Sequence, residues 1–129
     1  MNDKIFATMK DLKIGKYVLI DDVPCRVVEI QTSSPGKHGA AKMRISAMGL
    51  FDGQKKTLLK PSDGDVEVPI VERKNGQIMS LNGSIAQIMD STTYETFEIQ
   101  VPADITGAES GKEVEYLETM GKRLVMRIK

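Results

Sequence analysis

Apolar and polar residues alternate with a period of two along much of this 129-residue chain, the pattern of strands buried on one face. Residues 15–20 (Gly-Lys-Tyr-Val-Leu-Ile) read as a strand stopped by Asp21-Asp22. Val23-Pro24 turns the chain, and Pro24 opens the strand 25–32, with Val27 and Cys25 inward. Residues 41–48 place Met43, Ile45 and Ala47 on one face and Lys42, Arg44 and Ser46 on the other. Asp52-Gly53 is a hairpin turn signal. The chain returns through 54–60, stops at Pro61-Ser62-Asp63-Gly64-Asp65, and alternates again in Val66-Glu67-Val68 before Pro69. Residues 1–13 read as an extended lead that packs Ile5 and Phe6 on the body.

The second half continues in the same manner. Asn75-Gly76 starts a strand over 77–82, and Asn82-Gly83 is a clearer hairpin turn before residues 84–89. Ile78, Leu81, Ile85, Ile88 and Met89 are the expected apolar contacts, and residues 93–101 bury Phe97, Ile99 and Val101. One helix is expected over 110–121. Ser110 and Glu113 have capping-box spacing, Val114, Leu117 and Met120 make an apolar stripe, and Gly121 is its stop. Leu124, Val125, Met126 and Ile128 form a closing strand. Many short strands with closely spaced turns predict a mainly β protein built as small barrels. A boundary falls at 69–74, where a Pro and the charged run Glu72-Arg73-Lys74 interrupt the pattern, giving domains 1–69 and 70–129. In the second domain, strands followed by a helix and a final strand fit an OB fold.

Charge divides the halves although the whole chain has net charge zero. Residues 1–69 carry eleven cations against nine acids, and residues 70–129 seven against nine. Between 33 and 60, Lys37, Lys42, Arg44, Lys55, Lys56 and Lys60 face only Asp52. Such a patch is either a solvated surface or a phosphate-facing one, since cations that neutralise phosphates release counterions. The second half has Tyr94, Phe97 and Tyr116 as its only aromatics, which suits docking on a defined surface better than general single-strand binding. A single Cys excludes an internal disulfide framework, and with one His there is no metal-ligand spacing. Cys25 reads as a core residue and the eight Met as core filler. The opening residues lead into no apolar signal segment, and no stretch reaches membrane-spanning length, so a cytoplasmic protein with no membrane partner is expected.

The stretch of greatest chemical interest is Ser33-Ser34-Pro35-Gly36-Lys37-His38-Gly39-Ala40-Ala41-Lys42, between two predicted strands. Pro35 sets its own φ, and Gly36 and Gly39 bracket Lys37-His38. The loop reads as a hairpin tip that holds Lys37 clear of any core. It is not a nucleotide P-loop: Gln31 stands where the first Gly is needed and His38 where a Ser or Thr is needed. Nucleophilic catalysis by Lys37 would require burial or a second cation.

Pro35-Gly36-Lys37-His38-Gly39-Ala40-Ala41-Lys42 resembles the modified loop of the translation initiation factor 5A family. Gly36, Lys37, His38, Gly39, Ala41 and Lys42 fall on the family pattern, and the likeness extends through the closing residues 122–129. Pro35, in place of the usual eukaryotic Thr, and the absence of a longer acidic lead point to the archaeal branch. The bacterial relative, elongation factor P, has a third domain for which this length leaves no room. The resemblance implies an SH3-like barrel over 1–69 and an OB fold over 70–129. It implies that Lys37 receives an aminobutyl group from spermidine, as deoxyhypusine or hypusine. Deoxyhypusine synthase would recognise Pro35, Gly36, His38, Gly39 and Lys42. The protein would be no enzyme, would hold no cofactor beyond that covalent group, and would act as a monomer on the ribosome, beside ribosomal RNA and peptidyl-tRNA. There it would promote peptide-bond formation and relieve stalling at proline runs. Lys42, Arg44, Lys55, Lys56 and Lys60 are the expected RNA patch. A general RNA-binding module and a self-assembling protein of similar fold are the alternatives.

Overall fold

The computed structural model describes residues 4–33 and 41–129. They form two compact units, divided between Ile70 and Val71, and almost all regular structure is strand. The expected site residues Pro35, Gly36, Lys37, His38 and Gly39 lie outside the described residues.

The first unit is a six-stranded antiparallel sheet made of β1 (Lys4–Thr8), β2 (Tyr17–Ile20), β3 (Val23–Ser33), β4 (Lys42–Gly49), β5 (Lys55–Pro61) and β6 (Asp65–Pro69), in the order β1-β6-β2-β3-β4-β5. The sheet curls until β5 approaches β2. Its inner face closes on Val18, Ile20, Cys25, Val27, Met43, Ile45, Ala47 and Val66, joined by Met9 and Leu12. Each Val, Leu, Ile or Met side chain among them contributes about 1.5–3 kcal/mol of hydrophobic stabilisation. Cys25 is fully buried and its Sγ donates to the Val23 carbonyl at 3.2 Å. Burial raises its pKa, so it remains a thiol.

The lead packs differently from the expectation. Ile5 and Phe6 are 54% and 76% exposed, and the 3-10 turn Met9–Asp11 supplies the core instead. Met9 and Lys10 donate their amides to Gly64 and Ser62 carbonyls. That anchoring turns Met9 inward and leaves Phe6, opposite Glu67 on the β1–β6 pair, outside.

The second unit is a five-stranded antiparallel sheet in the order β11-β10-β7-β8-β9. Its strands are β7 (Glu72–Asn82), β8 (Ile85–Asp90), β9 (Thr96–Gln100), β10 (Glu113–Thr119) and β11 (Lys122–Ile128). Ile78, Ala86, Ile88, Val101, Val114 and Val125 form the core, with Phe97, Ile99 and Ile128 packed on it. The edge strands β9 and β11 meet, and Arg123 of β11 lies over the Phe97 ring at 4.2 Å.

The expected helix over 110–121 is absent. Those residues form a loop and β10, and Met120-Gly121 make the turn into β11 with φ of 52° and 76°. Both signs are positive, as in the two-residue hairpin turns that match strand twist. The spacing of Val114, Leu117 and Met120 imitated a helix stripe. Pairing with β7 and β11, and the β-forming Val114, Tyr116 and Thr119, decide against a single short helix. Ser110 does not cap: its hydroxyl donates to the Met79 carbonyl at 3.0 Å.

Three further details depart from the pattern. β7 is longer than expected, so Asn75-Gly76 lies inside a strand. A Cβ on Gly76 would sit 2.7 Å from Ile88 Cγ2 and 2.9 Å from the Met89 carbonyl, so this glycine serves close approach, not turning. Leu81 and Ile85, beside the turn of the β7–β8 hairpin, are exposed. Bulges let Val28 and Met79 leave their ladders, and both are exposed.

Candidate nucleic-acid interface

The outer face of β3-β4-β5 gathers the cations. Directly opposed residues share a face in an antiparallel ladder. The pairing therefore sets out four rows on this side: Ser33-Lys42-Pro61, Gln31-Arg44-Leu59, Glu29-Ser46-Thr57 and Arg26-Met48-Lys55. Lys42, Arg44 and Lys55 are exposed, as the alternation of β4 and β5 requires. No ion pair holds any of the three among the described residues. Leu59, 64% exposed, and Met48 lie between them, so the face is cationic with apolar patches.

Lys56 and Lys60 stand apart from that group. They share the phase of Leu58, opposite Ala47 and Met43, on the inner side of β5. Only 19% of the Lys56 side chain is exposed, and its Nζ lies 3.7 Å from Asp52 Oδ2. Lys60 Nζ donates to the Asp65 carbonyl at 2.6 Å. Both amines are already used within the fold.

Arg26 joins the face in their stead. It is exposed on β3, opposite Met48, whose other neighbour is Lys55. Sequence reasoning missed it because the charge count began at residue 33. The available signal was Arg26 between the inward Cys25 and Val27. The bulge at Val28 then brings Gln31 and Ser33 onto the same outer face as Arg26. With Glu29 as its one acid, the face carries four cations in these rows.

The second unit treats charge in the opposite way. Glu118 accepts from Lys74 Nζ at 3.1 Å and from Arg123 Nε at 2.8 Å, and Arg123 also reaches Glu95 at 3.0 Å. Burial alone would raise the Glu118 pKa, but these two cations outweigh it and lower it. Glu115 bridges Arg73 and Arg127 at 3.4 and 3.2 Å. Beneath them Asp90 is buried. Its Oδ2 accepts the Tyr116 hydroxyl in a short bond, and its Oδ1 accepts the Thr92 and Thr93 amides at 2.8 and 2.9 Å. Burial opposes the Asp90 charge, yet these donors prevail and hold its pKa at about 2. Burial and the facing Asp90 push the Tyr116 phenol up. No group of three or more metal-ligating side chains occurs among the described residues, and no helix among them is long and apolar enough to cross a membrane.

Two β units, one with an open cationic sheet face, define a β protein of the kind that binds polyanions, and comparison with known proteins makes the class specific. Residues 5–64 match the family model "Translation initiation factor 5A-like, N-terminal", and residues 70–129 match "Eukaryotic elongation factor 5A hypusine, DNA-binding OB fold". The translation initiation factor 5A of Methanopyrus kandleri is 55% identical over 124 residues, covering 94% of this chain and 91% of its own. That of Archaeoglobus fulgidus is 51% identical over 93% of this chain and 94% of its own. A solved structure of the factor from Methanococcus jannaschii superposes with a TM-score of 0.93 at 43% identity, covering 99% of this chain and 98% of that one. A family protein from Naegleria fowleri gives 0.78 at 26% identity, covering 99% of both chains. The chain belongs to the translation initiation factor 5A family.

Proposed function

We propose that this translation factor binds the ribosome through the outer face of β3-β4-β5 and acts there through Lys37, lengthened by an aminobutyl group derived from spermidine. The observation that carries the reading is the set of cations on that face without an ion pair among the described residues, continuous with the two strand ends that flank residues 34–41. Arg26, Lys42, Arg44 and Lys55 meet phosphates of ribosomal RNA and peptidyl-tRNA. β3 spans eleven residues, about 37 Å when extended. A strand pair of that kind can carry a side chain well beyond the body of the barrel.

The chemistry is positioning and charge. The modified lysine keeps its own cationic amine and gains a second at its tip. It steadies the acceptor end of the peptidyl-tRNA near the peptidyl-transferase centre, promoting bond formation and relieving stalls at proline runs. Deoxyhypusine synthase makes the modification, recognising Pro35, Gly36, His38, Gly39 and Lys42. Lys37 must be neutral when it attacks, and the groups that deprotonate it belong to that enzyme. The chain is substrate and adaptor, and it works in the cytoplasm as a monomer.

Conversion of Lys37→Arg tests this directly. Spermidine label is lost and translation of proline-rich reporters stalls, while binding through the sheet face persists in weakened form. Label that still enters the variant, or a reporter that stays unstalled, contradicts the proposal. General RNA binding by both units fits less well, because Arg73, Lys74, Arg123 and Arg127 are each tied to a Glu.

A further inference from the structure

The loop between β8 and β9 contains a residue its geometry disfavours. Asp90 donates its amide to the Glu95 carbonyl at 2.8 Å, and Tyr94 donates its amide to the Asp90 carbonyl at 3.0 Å. The Asp90 carboxylate gathers the Thr92 and Thr93 amides inside that ring. The loop so closed holds Tyr94 at a φ of 62°. Glycine or asparagine normally fills a left-handed position in a hairpin loop, because a bulky side chain is strained there.

Packing does not repay the strain. Tyr94 is 70% exposed, and its ring and hydroxyl have no partner among the described residues. The other two aromatics of this unit are employed inside it: Phe97 and Tyr116 lie 5.0 Å apart, and Arg123 covers Phe97. A costly conformation that presents an unused ring to solvent is the kind of strain found at binding sites. Adjoining Tyr94 in the chain, Thr92 and Thr93 line a cavity of about 330 Å³ shared with Arg73, Lys74 and Asn75. Its lining offers hydroxyl, amide and cationic donors beside the carboxylates of Glu72 and Asp90. Arg73 and Lys74 are already paired with Glu115 and Glu118, so phosphate attraction is muted there and stacking on the ring must supply the affinity.

We propose that Tyr94 is a stacking platform for one unpaired RNA base, with Asn75, Thr92 and Thr93 meeting the edge or ribose of the same nucleotide. The proposal rests on the ribosome-binding reading above and gives the second unit its own contact. Base–aromatic stacking of this sort is sequence-tolerant and strong enough to measure.

The test uses the full chain and ribosomes purified from the native host, with affinity read by co-sedimentation. Tyr94→Ala and Tyr94→Asn weaken binding about tenfold, whereas Tyr94→Phe and Tyr94→Trp stay within about twofold of wild type. Tyr94→Asn melts no lower than wild type, because asparagine tolerates the left-handed position, which separates lost contact from lost fold. Ultraviolet crosslinking of the bound protein then yields a nucleotide adduct on the Tyr94 peptide. Unchanged affinity in Tyr94→Ala overturns the proposal. So does an equal loss in Tyr94→Phe, which would assign the effect to the hydroxyl. A weakened Tyr94→Ala whose wild-type peptide carries no nucleotide indicates a protein neighbour and also overturns it. If Lys55→Glu weakens binding and Tyr94→Ala does not, this inference falls alone. If wild type fails to sediment with ribosomes, the functional reading falls with it.

Discussion

The two units of this molecule handle similar side chains in opposite ways. On the outer face of β3-β4-β5, Arg26, Lys42, Arg44 and Lys55 carry no ion pair among the described residues. In the second unit, Arg73, Lys74, Arg123 and Arg127 are each bound to a glutamate. Cations that satisfy one another's counter-charges hold a sheet in register. Cations left unsatisfied repel their neighbours slightly and stay available for an external polyanion. The first unit therefore leaves four cations open on one sheet face among the described residues, while these four cations of the second are neutralised within the fold. Overall neutrality of the chain conceals that division.

Substitutions can break the contrast, and the largest effects on folding belong in the second unit. Gly76→Ala forces a Cβ against Ile88 and the fixed Met89 carbonyl, and we expect a loss of about 3 kcal/mol in urea unfolding. Asp90→Asn comes next. The Asp90 carboxyl is depressed from an unfolded value of about 3.9 to about 2. Its stabilisation is therefore fully present above pH 4 and is lost as the pH falls through 2. The shift corresponds to roughly 2–3 kcal/mol. Unfolding of wild type and Asp90→Asn at pH 6 and pH 2 should show a gap of that order that closes in acid. A gap that stays constant would mean that Asp90 acts through shape and not charge.

Glu118→Gln weakens the bonds to Lys74 and Arg123, and about 1 kcal/mol is expected. In the first unit, Arg44→Glu or Lys55→Glu should alter stability by no more than about 0.5 kcal/mol. Ribosome affinity should fall about tenfold, with a shallower dependence on salt. Lys56→Gln provides the finest discrimination. It should leave ribosome binding nearly unchanged, since Lys56 faces inward and pairs with Asp52. If Lys56→Gln and Lys55→Gln weaken binding equally, the two faces of β5 have been misassigned.

Local rules carried much of this fold. The hairpin reversals near Asp52-Gly53 and Asn82-Gly83 are legible because glycine readily takes positive φ, and Gly53 and Gly83 adopt 67° and 64°; Asn82 itself stays in β7, and the second turn falls on Gly83-Ser84. The inward set Met43, Ile45 and Ala47 followed from a period of two. The helix over 110–121 was a misreading for a stated reason: an apolar spacing of three arises in a strand buried on both faces, as Val114, Tyr116, Leu117 and Thr119 are. Only long-range pairing with β7 distinguishes the two. Alternation over residues 93–101 predicts one strand, whereas β9 begins at Thr96 and Tyr94 belongs to the loop. The composition of the cationic face was half legible. Lys42, Arg44 and Lys55 follow from alternation alone. Excluding Lys56 and Lys60 and adding Arg26 required the register across three strands, which no local pattern contains. Lys37, with Gly36, His38 and Gly39 around it, is singled out by its motif alone, and these residues lie outside the described ones.

Peptide mapping by mass spectrometry of the protein from its native host bears most directly on the role given to Lys37. The account predicts one aminobutyl addition, with or without a hydroxyl, on the peptide containing Lys37, and none on Lys42 or on any cation of the sheet face. An unmodified Lys37, or an addition found only elsewhere, contradicts it.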